Sequence, residues 1–277
     1  MKNILITGAL GHIGSKFINN IKKNEFNKIV IIDNLYTQRY CSLFNLNKNI
    51  NFQFIEKNIL DASIEKYFKD IDIVIHFAAI TDATTSFNKK KIVYDVNVKG
   101  TKKIINYCKK YNCKLIFPST TSVYGVQNGK VDEDCSSNKL KPQSPYAQSK
   151  IEIENYLLAN KFNNFNFQIL RLGTIFGISD GMRFHTAVNK FCYQASFNQE
   201  LTVWKTAYNQ KRPYLGINDA VRCIKFIIKR DLFYNNIFNV VTGNFTVKQI
   251  ISYIKKDIKN IKIKYINQKI MNQLSYF

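Results

Sequence analysis

Through roughly the first 170 residues, short runs that are apolar throughout alternate with longer stretches in which apolar residues recur every three or four positions. Residues 3–7, 28–32, 52–56, 72–77, 114–118 and 166–171 read as strands, and their unbroken apolar character predicts strands covered on both faces. Between them the spacing predicts helices over 13–24, 92–111 and 146–160. This βαβ rhythm belongs to a doubly wound parallel sheet, an α/β fold.

The rhythm changes after residue 172. A Gly-containing stretch over 173–181 precedes a helical pattern over 183–199, followed by short β-like pieces at 201–204 and 237–240. A division into residues 1–172 and a smaller mixed lobe over 173–277 is expected. The Lys-rich end, 255–269, reads as a solvated helix face and a strand. No closing helix pattern precedes Phe277, so the small substrate-binding lobe is expected to be minimal or incomplete.

Composition narrows the class. In 277 residues, 45% are hydrophobic and 22% charged, which excludes disorder as the main theme. Lys+Arg number 41 against 19 Asp+Glu, a net charge of +22, and all but six of the cations are lysine. The lysines are spread along the chain rather than gathered on one stripe, which disfavours nucleic acid as a partner. Six cysteines, at 41, 108, 113, 135, 192 and 223, form no CxxC pair and no zinc spacing with histidine, and read as reduced thiols. The apolar start Ile4-Leu5-Ile6 stops at Thr7-Gly8, too short for a signal peptide, and no apolar run reaches the roughly 18 residues of a membrane span. A cytoplasmic protein without a membrane partner is expected.

Two constellations carry candidate chemistry. The first strand runs into Thr7-Gly8-Ala9-Leu10-Gly11-His12-Ile13-Gly14 and then into a helix pattern. Glycines at 8, 11 and 14 suit a tight turn, a close approach to a pyrophosphate and close helix packing, with the helix N-terminus facing the anion. Asp33 ends the second strand, where a carboxylate accepts both ribose hydroxyls of NAD and repels the 2′-phosphate of NADP; the plainer reading is a turn acid before Asn34. Asn58, after the third strand, stands where the adenine edge would pass, and Ala78 and Ala79 leave room for the cofactor backbone. The second constellation is Tyr146-Ala147-Gln148-Ser149-Lys150, which puts a phenol and an ammonium one turn apart on one helix face. A nearby cation and a positive nicotinamide ring would both favour the phenolate, so Tyr146 could take a proton from a sugar hydroxyl. Pro118-Ser119-Thr120-Thr121-Ser122-Val123-Tyr124-Gly125 adds hydroxyls at the C-terminal edge of the sheet. No metal cluster appears. His12 and His76 read as packing residues. Arg183, His185 and Asn189 share a predicted helix and either line a substrate pocket or lie on the surface.

Taken in order, the glycine loop, Asp33, Ser122-Val123-Tyr124-Gly125, Tyr146 with Lys150, and Lys211-Arg212-Pro213-Tyr214 make the chain resemble the extended short-chain dehydrogenases/reductases of the NAD-dependent sugar epimerase/dehydratase family. The resemblance implies a Rossmann sheet, tightly held NAD, and Thr120 as the hydroxyl partner of Tyr146 and Lys150. It also implies that Leu10, His12, Ile13, Asn34, Ile59, Phe77 and Asn97 join the cofactor residues already named. Thr81, Thr121, Thr174, Val203 and Arg212 would meet the substrate with Arg183 and Asn189, and the guanidinium of Arg212 would meet a sugar-nucleotide diphosphate. Sugar 4,6-dehydratases of the family follow the threonine with Asp-Glu, whereas this chain has Thr121-Ser122, which removes the acid and base for eliminating water. Asn58 replaces an Asp, Thr174 an Asn, and Lys269 stands near a second diphosphate arginine. The expected activity is epimerisation at C4 of a nucleotide sugar, a UDP-sugar foremost, through a transient 4-keto sugar, in a homodimer. A net 4-ketoreductase or dehydrogenase on the same site, and a non-catalytic dinucleotide- or RNA-binding protein, are the alternatives.

Overall fold

A computed structural model describes residues 1–83, 85–127, 129–160 and 164–267. Strands β1 (Lys2–Thr7), β2 (Phe26–Asp33), β3 (Phe52–Glu56) and β4 (Ile73–His76) fall close to the apolar runs, with helix α1 (His12–Asn19) after β1. Helices α2 (Lys90–Tyr94) and α3 (Thr101–Lys110) flank a π-helical turn over Asp95–Gly100. They are followed by β5 (Lys114–Thr120), α4 (Pro145–Ala159) and β6 (Phe167–Leu172). The remainder is β7 (Thr174–Phe176), α5 (Ala187–Ser196), β8 (Leu201–Trp204), β9 (Arg212–Gly216), α6 (Ile217–Arg230), β10 (Ile237–Val240), β11 (Gly243–Phe245), α7 (Val247–Asp257) and β12 (Ile263–Ile266).

Seven parallel strands form the main sheet in the order β10-β6-β5-β4-β1-β2-β3. The order reverses between β1 and β4, so the crevice above the C-terminal ends of these two strands is the topological switch point where ligands of such sheets bind. Alternate residues of each strand feed two cores. Ile4, Ile6, Ile29 and Ile31 pack on the side of α1 and α6. Leu5, Val30, Val74, Leu115 and Phe117 pack on the side of α3 and α4. Both faces are covered, which is why the strands read as continuous apolar runs.

The smaller sheets, β11-β9-β7 and β12-β8, share a third core with α5 and α7, built on Phe191, Leu201, Val203, Tyr214, Ile250 and Ile251. The strand at Ile237–Val240, grouped by rhythm with this lobe, is instead the outermost strand of the large sheet, where Asn239 pairs with Arg171. Four residues carry no signal of which sheet they will join. The helix expected over 183–199 begins only at Ala187: Asn189 turns back to accept the N–H of Gly177 and to donate to the carbonyl of Arg183, and so holds the preceding segment out of the helix. The helix expected over 92–111 is interrupted by the π turn, in which Asn97 accepts the N–H of Ile80 at 2.8 Å and donates to its carbonyl at 2.9 Å. Among the described residues, no helix is long and apolar enough to cross a membrane.

Candidate active site

The loop after β1 turns at Gly8, which has φ +65°. A Cβ there would lie 2.4 Å from the amide nitrogen of Ala78, so the loop approaches the end of β4 more closely than a side chain permits. Gly11 caps α1 without a side-chain bond, and no capping side chain covers the positive end of the helix. This cradle opens on a cavity of about 610 Å³ that runs from Gly8, Gly11, Ile13 and Gly14 past Phe77 and Ala79 to Tyr146 and Lys150. It continues into the later lobe at Val203, Trp204 and Arg212. A glycine turn pressed against the end of β4, at the start of a helix and beside a strand-end carboxylate, fits the pyrophosphate and ribose of NAD.

That carboxylate, Asp33, accepts the N–H groups of Leu10 at 3.1 Å and Leu35 at 3.0 Å. Burial raises its pKa, against the pull of these N–H groups and of the Arg39 guanidinium. It is therefore a turn acid as well as a neighbour of the cradle.

Helix α4 starts where its sequence dictates. The Ser144 hydroxyl accepts the N–H of Ala147 at 3.2 Å, and Pro145 fills the first turn. Tyr146 therefore stands in the first turn, where its phenol shares a hydrogen bond with Thr120 at the end of β5. One turn on, the buried ammonium of Lys150 donates to the carbonyl of Pro118 at 2.7 Å and lies 5.9 Å from the centre of the Tyr146 ring. Burial raises the Tyr146 pKa, opposed by the Arg183 charge and the Thr120 bond. Burial also pushes the Lys150 ammonium down to about 7. The turn after β5 closes at Gly125, with φ +68°.

Of the residues singled out from sequence, Gly8, Gly11, His12, Ile13, Gly14, Phe77, Ala79, Thr81, Ser119, Thr120, Ser122, Tyr146, Lys150, Thr174, Arg183, His185, Val203 and Arg212 line one cavity. The other predicted binding residues do not line it. Leu10 and Ile59 are core side chains; Ala78 backs the Gly8 turn; Asn34 and Asn58 cap their own turns at Tyr36 and Leu60. Asn97 is buried under the loop at Ile80, and Thr121 donates to the carbonyl of Leu172. Asn189 holds the Gly177 and Arg183 backbone. Lys269 lies outside the described residues. His12 lines the cavity, and burial pushes its pKa to about 4, so the neutral ring donates from Nε2 to the carbonyl of Gly177 at 2.8 Å. His76, pushed by burial to about 3, is a core hub between Thr7 and Thr101. Among the described residues, no group of three or more candidate metal ligands occurs.

Arg39, Asp82 and Lys190 also line the cavity and were not singled out. A usable signal existed for the first. In a chain whose cations are nearly all lysine, each of the six arginines is conspicuous, and three of them, Arg39, Arg183 and Arg212, reach this cavity.

Residues 4–240 match the family described as "NAD dependent epimerase/dehydratase family". The dTDP-D-glucose 4,6-dehydratase of Dictyostelium discoideum is 32% identical over 285 residues, covering 95% of this chain; the chain spans 63% of that protein's length. Among solved structures, the UDP-glucuronic acid 4-epimerase of Bacillus cereus, in complex with UDP-4-deoxy-4-fluoro-glucuronic acid and NAD, superimposes with a TM-score of 0.88 at 26% identity, covering 99% of this chain and 90% of that one. The UDP-N-acetylglucosamine 4-epimerase of Methanobrevibacter ruminantium, in complex with UDP-N-acetylmuramic acid, gives 0.87 at 25% identity, covering 99% and 88%.

Proposed function

The chain belongs to the NAD dependent epimerase/dehydratase family, and from that premise we propose that it is a nucleotide-sugar epimerase acting at C4. The observation that carries this reading is the meeting of Tyr146, Lys150 and Thr120 in the cavity that begins at the glycine cradle. Gly8, Gly11 and Gly14 with the α1 N-terminus would hold the pyrophosphate of NAD, and Asp33 its adenosine ribose. Bound there, NAD supplies a reversible acceptor for the C4 hydride, so that a transient 4-keto sugar can regain hydrogen on its other face.

The protein's own groups do the rest. Thr120 holds the sugar hydroxyl against the phenol, and Tyr146 takes its proton as the carbonyl forms and returns it as the alcohol is restored. The Lys150 ammonium favours the phenolate. Arg212 binds the diphosphate, with Arg183 and Thr174 nearer the sugar and the Val203 backbone towards the base. Thr121 and Ser122 follow Thr120 and offer neither carboxylic acid nor carboxylate, so C5 has no base for elimination. In this reading the chain is not a dehydratase, although several relatives, the Dictyostelium discoideum protein among them, carry that name. The substrate is a UDP-sugar in this reading, as for the two solved epimerases, and the enzyme works as a homodimer.

The test is to purify the protein, release and identify any nicotinamide cofactor, and offer UDP-, dTDP-, GDP- and CDP-sugars with product stereochemistry read by NMR. C4 inversion with no net consumption of NAD or NADH is expected. Steady NADH consumption in proportion to product would select a 4-ketoreductase, and absence of both cofactor and turnover would remove the reading.

A further inference from the structure

Three consecutive residues of β5 meet three residues of α4 spaced one turn apart. Thr120 bonds Tyr146, the Pro118 carbonyl takes Lys150, and the Ser119 hydroxyl donates to the carboxylate of Glu154. Tyr146, Lys150 and Glu154 fall at i, i+4 and i+8, a single stripe of the helix. The first two rungs carry the proposed chemistry. Glu154 does not line the cavity and is 1% exposed.

Its partner is Arg171 on β6, 2% exposed, which stands opposite Ser119 in the strand register. Arg171 donates from Nε to both carboxylate oxygens, at 3.1 and 3.2 Å, and from Nη2 to Oε2 at 2.7 Å. Its Nη1 donates to the Tyr124 hydroxyl at 2.9 Å, in the turn that follows Thr120. A buried ion pair gains little stability over apolar residues of the same volume, so its presence here asks for a use of the charge.

We propose that Glu154, locked by Arg171 and Ser119, is a positioning residue that holds α4 in register on β5 and supplies the buried negative charge that keeps Lys150 an ammonium beside Tyr146. This rests on the reading of Tyr146 and Lys150 given above. The groups around Lys150 are few. On α4 they are Tyr146 and Glu154. On β4 there is His76, held neutral with both ring nitrogens engaged. On β5 the Pro118 carbonyl accepts from Lys150 and the Phe117 ring lies 4.6 Å away. Arg183, from the segment before α5, faces Tyr146. Against the desolvation that lowers the Lys150 pKa, Glu154 is the group that raises it.

The test compares the wild type with Glu154→Gln, Glu154→Asp and the paired Glu154→Met/Arg171→Met, which leaves no buried charge alone. The first readout needs neither cofactor nor turnover: competitive acetylation of Lys150 across pH, read by peptide mass spectrometry. The second is the pH profile of kcat/KM on the sugar nucleotide. In the Gln and paired variants the Lys150 titration is expected to move down by about one pH unit, and the alkaline limb of kcat/KM with it, lowering the rate at pH 8 about tenfold. Glu154→Asp keeps most of the wild-type position. A paired variant with wild-type Lys150 titration and rate profile would overturn the proposal, whatever its Tm. If Glu154→Gln does not fold, the paired variant decides. If that fails as well, Ser119→Ala decides: a smaller shift in the same direction supports the proposal and no shift overturns it. A wild type without turnover removes the functional reading, while the Lys150 titration still tests the positioning role.

Discussion

Tyr146 is held by two opposed influences: burial raises its pKa, and the Thr120 hydrogen bond with the Arg183 charge lowers it. Its phenol is the one group placed to exchange the sugar proton in the proposed reaction, so Tyr146→Phe is expected to lower kcat by about 10²- to 10⁴-fold while leaving bound cofactor and Tm unchanged. Cofactor content with single-turnover rates checks this. The buried histidines give a separate expectation. His12 and His76 titrate at about 4 and about 3 in the folded chain, below their ordinary 6.5. Below pH 6.5 the unfolded chain therefore binds more protons, and stability that is complete above 6.5 is lost as pH falls through 6.5 towards 4. Each histidine contributes a slope of about 1.4 kcal/mol per pH unit in that window. Urea unfolding at pH 7, 6 and 5 should show the loss, and His12→Asn should remove about half of it, leaving the His76 share.

At the scale of elements, the π turn between α2 and α3 lets Asn97 reach Ile80, and the same amide donates to the Ser149 hydroxyl on α4 at 3.1 Å. Asn97 thus ties the loop after β4 to the helix that carries Tyr146. Asn97→Ala strands the backbone polar groups of Ile80 and is expected to cost about 1–3 kcal/mol in denaturant unfolding and to weaken cofactor retention. Wild-type stability in this variant would argue against the tie. Most elements of the large sheet were legible in sequence, because parallel strands buried on both faces must be apolar throughout and the Gly8–Gly14 spacing marks the turn into α1. The π turn was not, since a pattern read at 3.6 residues per turn cannot register one wider turn. The outer position of β10 was hidden for a different reason: pairing partners of a four-residue strand are chosen by the chain's path and not by its own residues. In the site, Tyr146, Lys150 and Thr120 were legible from spacing and resemblance. Glu154 at i+8 and Arg171, a lone arginine in an apolar strand, became meaningful only once β5 and β6 were seen side by side.

At the scale of the whole molecule, a net charge of +22 surrounds a cavity lined by Arg39, Arg183, Lys190 and Arg212. Anionic sugar nucleotides should be steered towards it, so kcat/KM is expected to fall severalfold as salt is raised from low to about 0.5 M while kcat changes little. A salt-independent kcat/KM would show that the lysine excess plays no part in substrate capture. The proposed reaction, in which hydrogen would leave C4 and come back to the same carbon, joins the three scales. Supplying a UDP-sugar labelled with deuterium at C4 and reading the product by NMR tests this most directly. C4 inversion with the deuterium still on C4 is expected; unchanged configuration, or deuterium lost to solvent, would contradict it.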